Sequence, residues 1–347
     1  MANRRFPLQR LPDDLYSKVL KTMEPYEIIA CSLTSKKVLS IVQSLGLSLR
    51  SAKIKMKELP EIYLSFGSII LQFKRRMGKN GKRMTRIDDI PIGVDVSIRK
   101  RCARLNRITG RFRENVDFKV ATWSNPGKSI GEWIKHIYSI FRCKCYEAEF
   151  HVGKIRVDIQ SLRNAFPKLR ETVIHGSLEE EPNDQEIQNT QIILRAFLPY
   201  VKNVELHDVH LQENLCLQHI GMANLRSLLI DSPNSPKFDD ILTLNVERCA
   251  IRGNHFSFRN LNRFFKLWTK GSFPKLKYLT VEVENIVDWT VLMKGLKAEE
   301  AEVDEVDEKQ YTIHNCYGNR AEIEECYNKA DIFGMPDYVS IEFYVFN

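Results

Sequence analysis

Apolar side chains first recur at helical spacing. Leu15, Val19 and Met23 follow the run Leu8-Gln9-Arg10-Leu11-Pro12-Asp13-Asp14 and share one face of a helix. Proline suits the entry because its missing N–H would be unpaired there anyway, and Asp13 and Asp14 complement the positive end of the helix dipole. A second start is predicted at Glu24-Pro25-Tyr26-Glu27, with Ile29 and Leu33 on one face. A third begins near Thr34-Ser35, a capping pair, carries Val38, Ile41, Val42 and Leu45, and stops at Gly46. Three such short helices have a thin core, and their apolar residues exceed what the bundle can hide. Either the rest of the chain or a protein partner must cover them.

The pattern then changes period. Ile62 to Phe73 and the turn-rich Gly78-Lys79-Asn80-Gly81 predict a hairpin, and Met56 to about Val157 reads as strands and turns. Beyond residue 160 one spacing repeats: an apolar residue, two others, an apolar residue or Thr, one other, an apolar residue. It occurs at Leu169/Thr172/Ile174, Val201/Val204/Leu206, Leu225/Leu228/Ile230, Ile241/Leu244/Val246 and Leu276/Leu279/Val281, and more weakly at Tyr338/Ile341/Phe343. Such spacing brings the chain into a short strand with alternate residues inward. Successive starts of the five stronger triplets lie 32, 24, 16 and 35 residues apart, too irregular for a regular leucine-rich horseshoe. Helices are predicted between strands, at Gln191 to Tyr200 and over Leu261, Phe264, Phe265 and Trp268, closed by Gly271. Phe166-Pro167-Lys168-Leu169 and Phe273-Pro274-Lys275-Leu276 are near-copies in which a helix ends before proline and a strand begins after it.

Composition narrows the class. The hydrophobic fraction is 43% and the charged fraction 28%, ordinary for a globular chain. No run reaches the ~18 apolar residues of a membrane span, and because Gln9 and Arg10 interrupt the start before a hydrophobic run can form, a signal peptide is not expected. Eight irregularly spaced cysteines and no glycosylation sequon point to the cytosol or nucleus. The net charge is +8, but Lys74 to Arg113 alone holds 14 Lys or Arg against Asp88, Asp89 and Asp95, a net +11.

The N-terminal run, with Leu11-Pro12, Leu15, Val19-Leu20, Met23, Ile28-Ile29, Leu33 and Ser35-Lys36-Lys37, resembles an F-box. Pro25-Tyr26-Glu27-Ile28 departs from the common Asp-Leu, and Val38 lies near a commonly aromatic position. The resemblance implies that Leu8, Leu11, Pro12, Leu15, Val19, Leu20, Ile28, Ile29 and Leu33 dock on a Skp-type adaptor that bridges to a cullin. The stretch Leu261 to Leu279 resembles the type 2 F-box-associated domain of the nematode F-box families, with the likeness extending over Ile187 to Leu296. The expected fold is α+β or α/β: an F-box over 6–47, a connecting strand-rich region over 56–157, and an irregular leucine-rich-like array over 158–347. The implied function is substrate recognition for a cullin-based ubiquitin ligase, with a protein substrate held by the array.

Other chemistry finds little support. Pro126-Gly127-Lys128-Ser129 ends like a phosphate loop, but Thr122 stands where its first glycine belongs. Cys143, Cys145 and His151, or His314, Cys316 and Cys326, lack zinc-finger spacing. His207-Asp208-Val209-His210 has no nucleophile elbow or metalloprotease helix to serve, so no catalytic residue, metal or cofactor is expected. Two alternatives stay open. One is a nucleic-acid-associated protein using Arg99, Lys100, Arg101, Arg104, Arg107, Arg111 and Arg113 against phosphate, although Phe112 alone offers an interleaved aromatic. The other is an F-box protein that binds its adaptor without building a ligase.

Overall fold

Three short helices open the chain, each started by a local device. α1 (Asp13–Thr22) carries Asp13 and Asp14 in its first turn. α2 (Pro25–Ser32) begins with a capping box in which the Glu24 N–H donates to the Glu27 carboxylate at 2.9 Å. α3 (Lys36–Ser44) is capped by Ser35, whose Oγ accepts from the Val38 N–H at 3.2 Å. Gly46, at φ 62°, ends the run in the left-handed conformation that glycine adopts without a steric penalty. The computed structural model describes residues 10–67, 69–76, 93–105, 112–143, 146–155, 169–177, 183–211, 217–231, 237–252, 256–283, 287–301, 309–328 and 338–346. Leu8, the Gly78 to Gly81 turn, the Phe166 to Lys168 segment and most side chains of the basic stretch lie outside the described residues. The chain divides into two units, 1–169 and 170–347. No helix among the described residues is long and apolar enough to cross a membrane.

In the first unit the helices precede a mixed sheet. Its strands are β2 (Ser51–Met56), β3 (Glu61–Phe66), β4 (Ile69–Arg76), β5 (Gly93–Leu105), β6 (Phe112–Ser124) and β8 (Tyr146–His151). They lie in the order β8-β2-β3-β4-β5-β6, antiparallel except for the parallel pair β2–β8. A separate two-residue ladder joins β1 (Ser48–Leu49) to β7 (Arg142–Cys143). The stretch Ile62 to Phe73 itself folds back at Gly67 into the hairpin β3–β4, a turn not expected there, while the expected turn at Gly78 to Gly81 lies outside the described residues. Ile54, Met56, Leu64, Leu71 and Phe150 on one face of the sheet are buried. The opposite face is polar: Lys55 donates to Glu149 at 2.9 Å and lies 5.5 Å over the Tyr63 ring. Burial alone would raise the Glu149 carboxyl, but hydrogen bonds from His151 and Lys55 hold it well below the usual carboxylate range.

A fourth helix, α4 (Ile130–Ile140), ties the opening helices to this unit. Ser129 caps it, and Ile130, Trp133, Ile134, Ile137 and Ile140 form its buried stripe. Within that stripe sits His136, only 8% exposed. The Ser32 hydroxyl donates to the Ile29 carbonyl at 2.6 Å, so its oxygen is left to accept from His136 Nε2 at 2.9 Å. Burial, and secondarily Lys128, push the imidazole from its ordinary 6.5 down to about 4.

The second unit starts with five parallel strands in chain order: β9 (Leu169–His175), β10 (Asn203–His207), β11 (Ser227–Asp231), β12 (Arg248–Arg252) and β13 (Tyr278–Val283). Helical crossovers join them: α5 (Asp184–Phe197), α6 (Leu217–Met222), α7 (Phe238–Ile241) and α8 (Phe258–Thr269). Parallel neighbours require such crossovers because no tight turn can connect them. A further helix, α9 (Trp289–Leu292), follows β13. The sheet then reverses: β17 (Tyr338–Phe346) pairs antiparallel to β13, followed outward by β16 (Arg320–Asn328), β15 (Gln310–His314) and β14 (Glu299–Glu300).

Register explains the repeating triplets. Thr172, Val204, Leu228, Cys249, Leu279 and Phe343 form one continuous cross-strand row, and Ile174, Leu206, Ile230, Ile251, Val281 and Ile341 form the next. All twelve are buried. The fourth triplet is therefore Val246/Cys249/Ile251, five residues later than the predicted Ile241/Leu244/Val246. Ile241 ends α7, and Leu244 lies in the turn that follows it. Starts at 169, 201, 225, 246 and 276 give steps of 32, 24, 21 and 30 residues. The loops also crowd at the strand ends. A Cβ on Gly176 would sit 1.8 Å from the Asp208 carbonyl oxygen, so only glycine fits beneath that turn.

Helix α8 is buried along Leu261, Phe264, Phe265 and Trp268, as its spacing predicts. Its aromatic partner is Phe343 of β17, whose ring centroid lies 5.2 Å from both Phe265 and Trp268, while Phe264 stacks on Phe273 at 4.6 Å. Trp268→Ala should cost roughly 3–5 kcal/mol, as for other buried aromatic truncations. Denaturant unfolding of the second unit reads this directly, and a wild-type midpoint would show that the indole is not core. A second expectation concerns acid. Because His136 is neutral when folded and titrates near 6.5 when unfolded, the unfolded chain binds the extra proton first. Stability supplied by this group is complete above pH 6.5 and drains away as pH falls toward 4. Between pH 7 and 4.5 that loss should be about 2 kcal/mol, and His136→Gln should remove it from the profile. Superimposable pH profiles for the two proteins would show that the imidazole titrates as it does in water.

Candidate functional site

Helix α1 carries two apolar stripes. Tyr16 and Leu20 point inward and are buried. On the outward side, Leu15 is 43% exposed, Pro12 is exposed, and Leu11 and Val19 are half-buried. Asp13 and Lys37 of α3 pair at 2.8 Å beside this stripe, but both side chains are 64% exposed, so the pair contributes little.

The structure thus divides the nine residues implicated by resemblance. Leu20, Ile28 and Ile29 lie in the interior of the first unit. Leu33 is half-buried at the end of α2. Leu11, Pro12, Leu15 and Val19 remain together on the outward side of α1, and Leu8 lies outside the described residues. Spacing alone had missed Tyr16, although Tyr16, Leu20 and Met23 fall at i, i+4, i+7 and mark the inward stripe.

The other constellations resolve into structure. A strand, β6, does precede Pro126-Gly127-Lys128-Ser129. However, Asn125 spans the loop, accepting from the Lys128 N–H at 3.1 Å and donating to its carbonyl at 2.8 Å. Ser129 is spent capping α4. His314 and Cys316 sit at one end of the β15–β16 hairpin, whereas Cys326 lies six residues beyond Arg320 along β16, roughly 20 Å away at strand rise. Cys145 lies outside the described residues.

His207 ends β10 between two carboxylates. Its Nδ1 lies 3.4 Å from Asp231 and its Nε2 3.4 Å from Glu205, and the His175 ring stacks on it at 4.8 Å. Hydrogen bonds to Asp231 first, then Glu205, raise it to about 9. An imidazolium donating from both nitrogens has no lone pair with which to accept a proton. Next to it, Asp208 takes φ 51° to close the turn, its N–H donating to the Asp231 carbonyl at 2.7 Å. This cluster holds strand ends together.

Comparison with known proteins adds two domain matches to this geometry. Residues 8–50 match the F-box domain, and residues 216–281 match the F-box associated family. The F-box associated domain-containing protein sdz-33 of Caenorhabditis elegans is 23% identical over 281 residues, which span 80% of this chain and 78% of that protein. No solved structure matches the chain. Both matched families are adaptor and interaction domains rather than enzymes. The chain thus carries an F-box domain over residues 8–50 and an F-box associated domain over residues 216–281.

Proposed function

We propose that the chain is the substrate-recognition subunit of a cullin-based, SCF-type ubiquitin ligase. In this reading residues 6–47 grip a Skp-type adaptor, 56–157 connect, and 158–347 hold a protein substrate. The observation that carries it is the outward stripe of α1. One stripe of that helix already closes the core of its own unit, so Leu11, Pro12, Leu15 and Val19 are left for another protein to cover. Leu20, Ile28 and Ile29 then serve as the support beneath that surface.

The second unit reads as a degenerate leucine-rich array. Five parallel strands bearing the same spaced triplet, each followed by a helical or turning return, support that description. Such a receptor needs no catalytic group or cofactor. It raises the effective concentration of substrate beside a charged enzyme held elsewhere on the scaffold. The free thiols Cys31, Cys249, Cys316 and Cys326 suit the reducing cytosol or nucleus in which ubiquitin ligases of this class work.

Leu11→Asp with Leu15→Asp tests the assignment. Leu15 is substantially exposed in the free chain, so the double variant should melt near the wild-type temperature. Its capture of a Skp-type adaptor and cullin should fall at least about thirtyfold, because central contact residues carry 2 kcal/mol or more. Leu20→Asp should instead unfold the first unit, since it buries an unpaired charge. Undiminished adaptor capture by the folded double variant would remove the basis of the proposal.

A further inference from the structure

One edge of the first unit's sheet is long. Strand β6 pairs with β5 over all 13 of its residues, and among the described residues no strand lies on its other side. The row of backbone N–H and C=O groups along that edge runs roughly 44 Å at strand rise. Sheet edges are commonly kept short or charged so that no other strand adds to them. The edge strand of the second unit follows that rule, since β14 is two residues long and both are exposed glutamates. β6 does not.

Support behind β6 is uneven. β4 backs β5 only over 93–100, so 101–105 and 112–116 make a two-stranded ribbon, an arrangement that is marginally stable by itself. The other half of β6, 117–124, has several strands behind it.

The residue order of β6 decides what can lie against its edge. Its charges cancel, Arg113 and Lys119 against Glu114 and Asp117, whereas β5 carries Arg99, Lys100, Arg101 and Arg104 against Asp95. A neutral edge selects neither an acidic nor a basic segment. The order is instead complementary to itself. When two copies of one strand run antiparallel about a two-fold axis, one residue faces its own copy. With Phe118 there, all 13 residues pair: Val116 stands opposite Val120, Asp117 opposite Lys119, Glu114 opposite Thr122 and Arg113 opposite Trp123. Both charge-on-charge pairs then join opposite signs. Moving the axis one residue either way sets Asp117 or Lys119 against itself, and like charges directly opposite are destabilising. By alternation Val116, Phe118 and Val120 share one face of the strand, so the axis at Phe118 also brings three apolar pairs side by side.

We propose that β6 pairs antiparallel with β6 of a second copy of this chain, centred on Phe118, making the protein a two-fold dimer. In that dimer 112–116 of each copy, the half that lacks a third strand, lies against 120–124 of the other. Each ribbon is thereby backed by the other copy's broad sheet. The two basic β5 strands stand three strand spacings apart, roughly 14 Å, outside the ~8 Å screening length at physiological salt. Assembly stops at two because both edges are then used. The proposal stands independently of the receptor reading.

Sedimentation velocity of the full chain tests it at concentrations up to about 100 µM, where interfaces of modest area associate. Wild type should sediment at twice 40.5 kDa. Asp117→Lys and Lys119→Asp each set like charges opposite one another on both sides of the axis, so each alone should weaken association by about tenfold or more. Mixed in equal amounts, the two variants regain both opposite-sign pairs and should form a heterodimer within about threefold of wild-type affinity. That recovery also shows that both are folded. Should Asp117→Lys unfold, because Lys100 stands opposite it within its own chain, Lys119→Asp decides alone, since Ile98 stands opposite that position. Lys154→Asp, the same charge change at an exposed position away from β6, should leave association within about twofold. The idea is overturned by a wild-type monomer throughout that range, by species larger than a dimer, or by variants that associate like wild type. An equal loss in the Lys154→Asp control, or a mixture of folded variants that stays monomeric, overturns it as well.

Discussion

The side-chain alternation of the second sheet, locked by its register, is the constraint from which the rest of that unit follows. Each strand sends every other residue toward the helices, so Thr172, Val204, Leu228, Cys249, Leu279 and Phe343 must meet in one row. A shift of one residue in any strand would turn its apolar set outward and expose it. The same alternation places Glu205, Asp231, Glu324 and Glu342 on the uncovered side. Core and outer face are therefore two readings of one pattern, and a strand cannot change one without disturbing the other.

The first unit obeys a different rule. Its opening helices are too short to be stable by themselves, and they gain stability by packing on their own unit. The Ser32–His136 bond between α2 and α4 is buried and polar, so it fixes position as much as it adds stability. Rigidly seated, α1 can afford an uncovered apolar stripe without the helix rearranging to hide it.

Much of this was legible from spacing alone. The helix starts at Pro25 and Ser35, the stop at Gly46 and the buried face of α8 all rest on local devices that sequence displays, whereas the hairpin turn at Gly67 was not anticipated. The fourth strand was misplaced because Ile241, Leu244 and Val246 mimic the triplet five residues early, while Cys249 is a small apolar side chain that does not advertise itself as core. The antiparallel turn of the sheet was illegible for another reason. Tyr338/Ile341/Phe343 has the spacing of a parallel strand, and nothing in a triplet reveals its direction. At the candidate adaptor surface, the resemblance named both stripes of helix α1 and its successor without separating them. Only burial shows that Leu20, Ile28 and Ile29 face in while Leu15 faces out.

The pairing of Trp268 with Phe343 has a consequence for synthesis. The aromatic box around α8 takes one wall from a strand made 75 residues later. At ribosomal speeds of about 5–20 residues per second, that interval lasts roughly 4 to 15 s. During it, Phe264, Phe265 and Trp268 have no Phe343 to close over them, although the parallel strands can already pair. The second unit is thus most vulnerable to aggregation late in its own translation, and a chaperone that met it then would find an aromatic helix face waiting for its last strand.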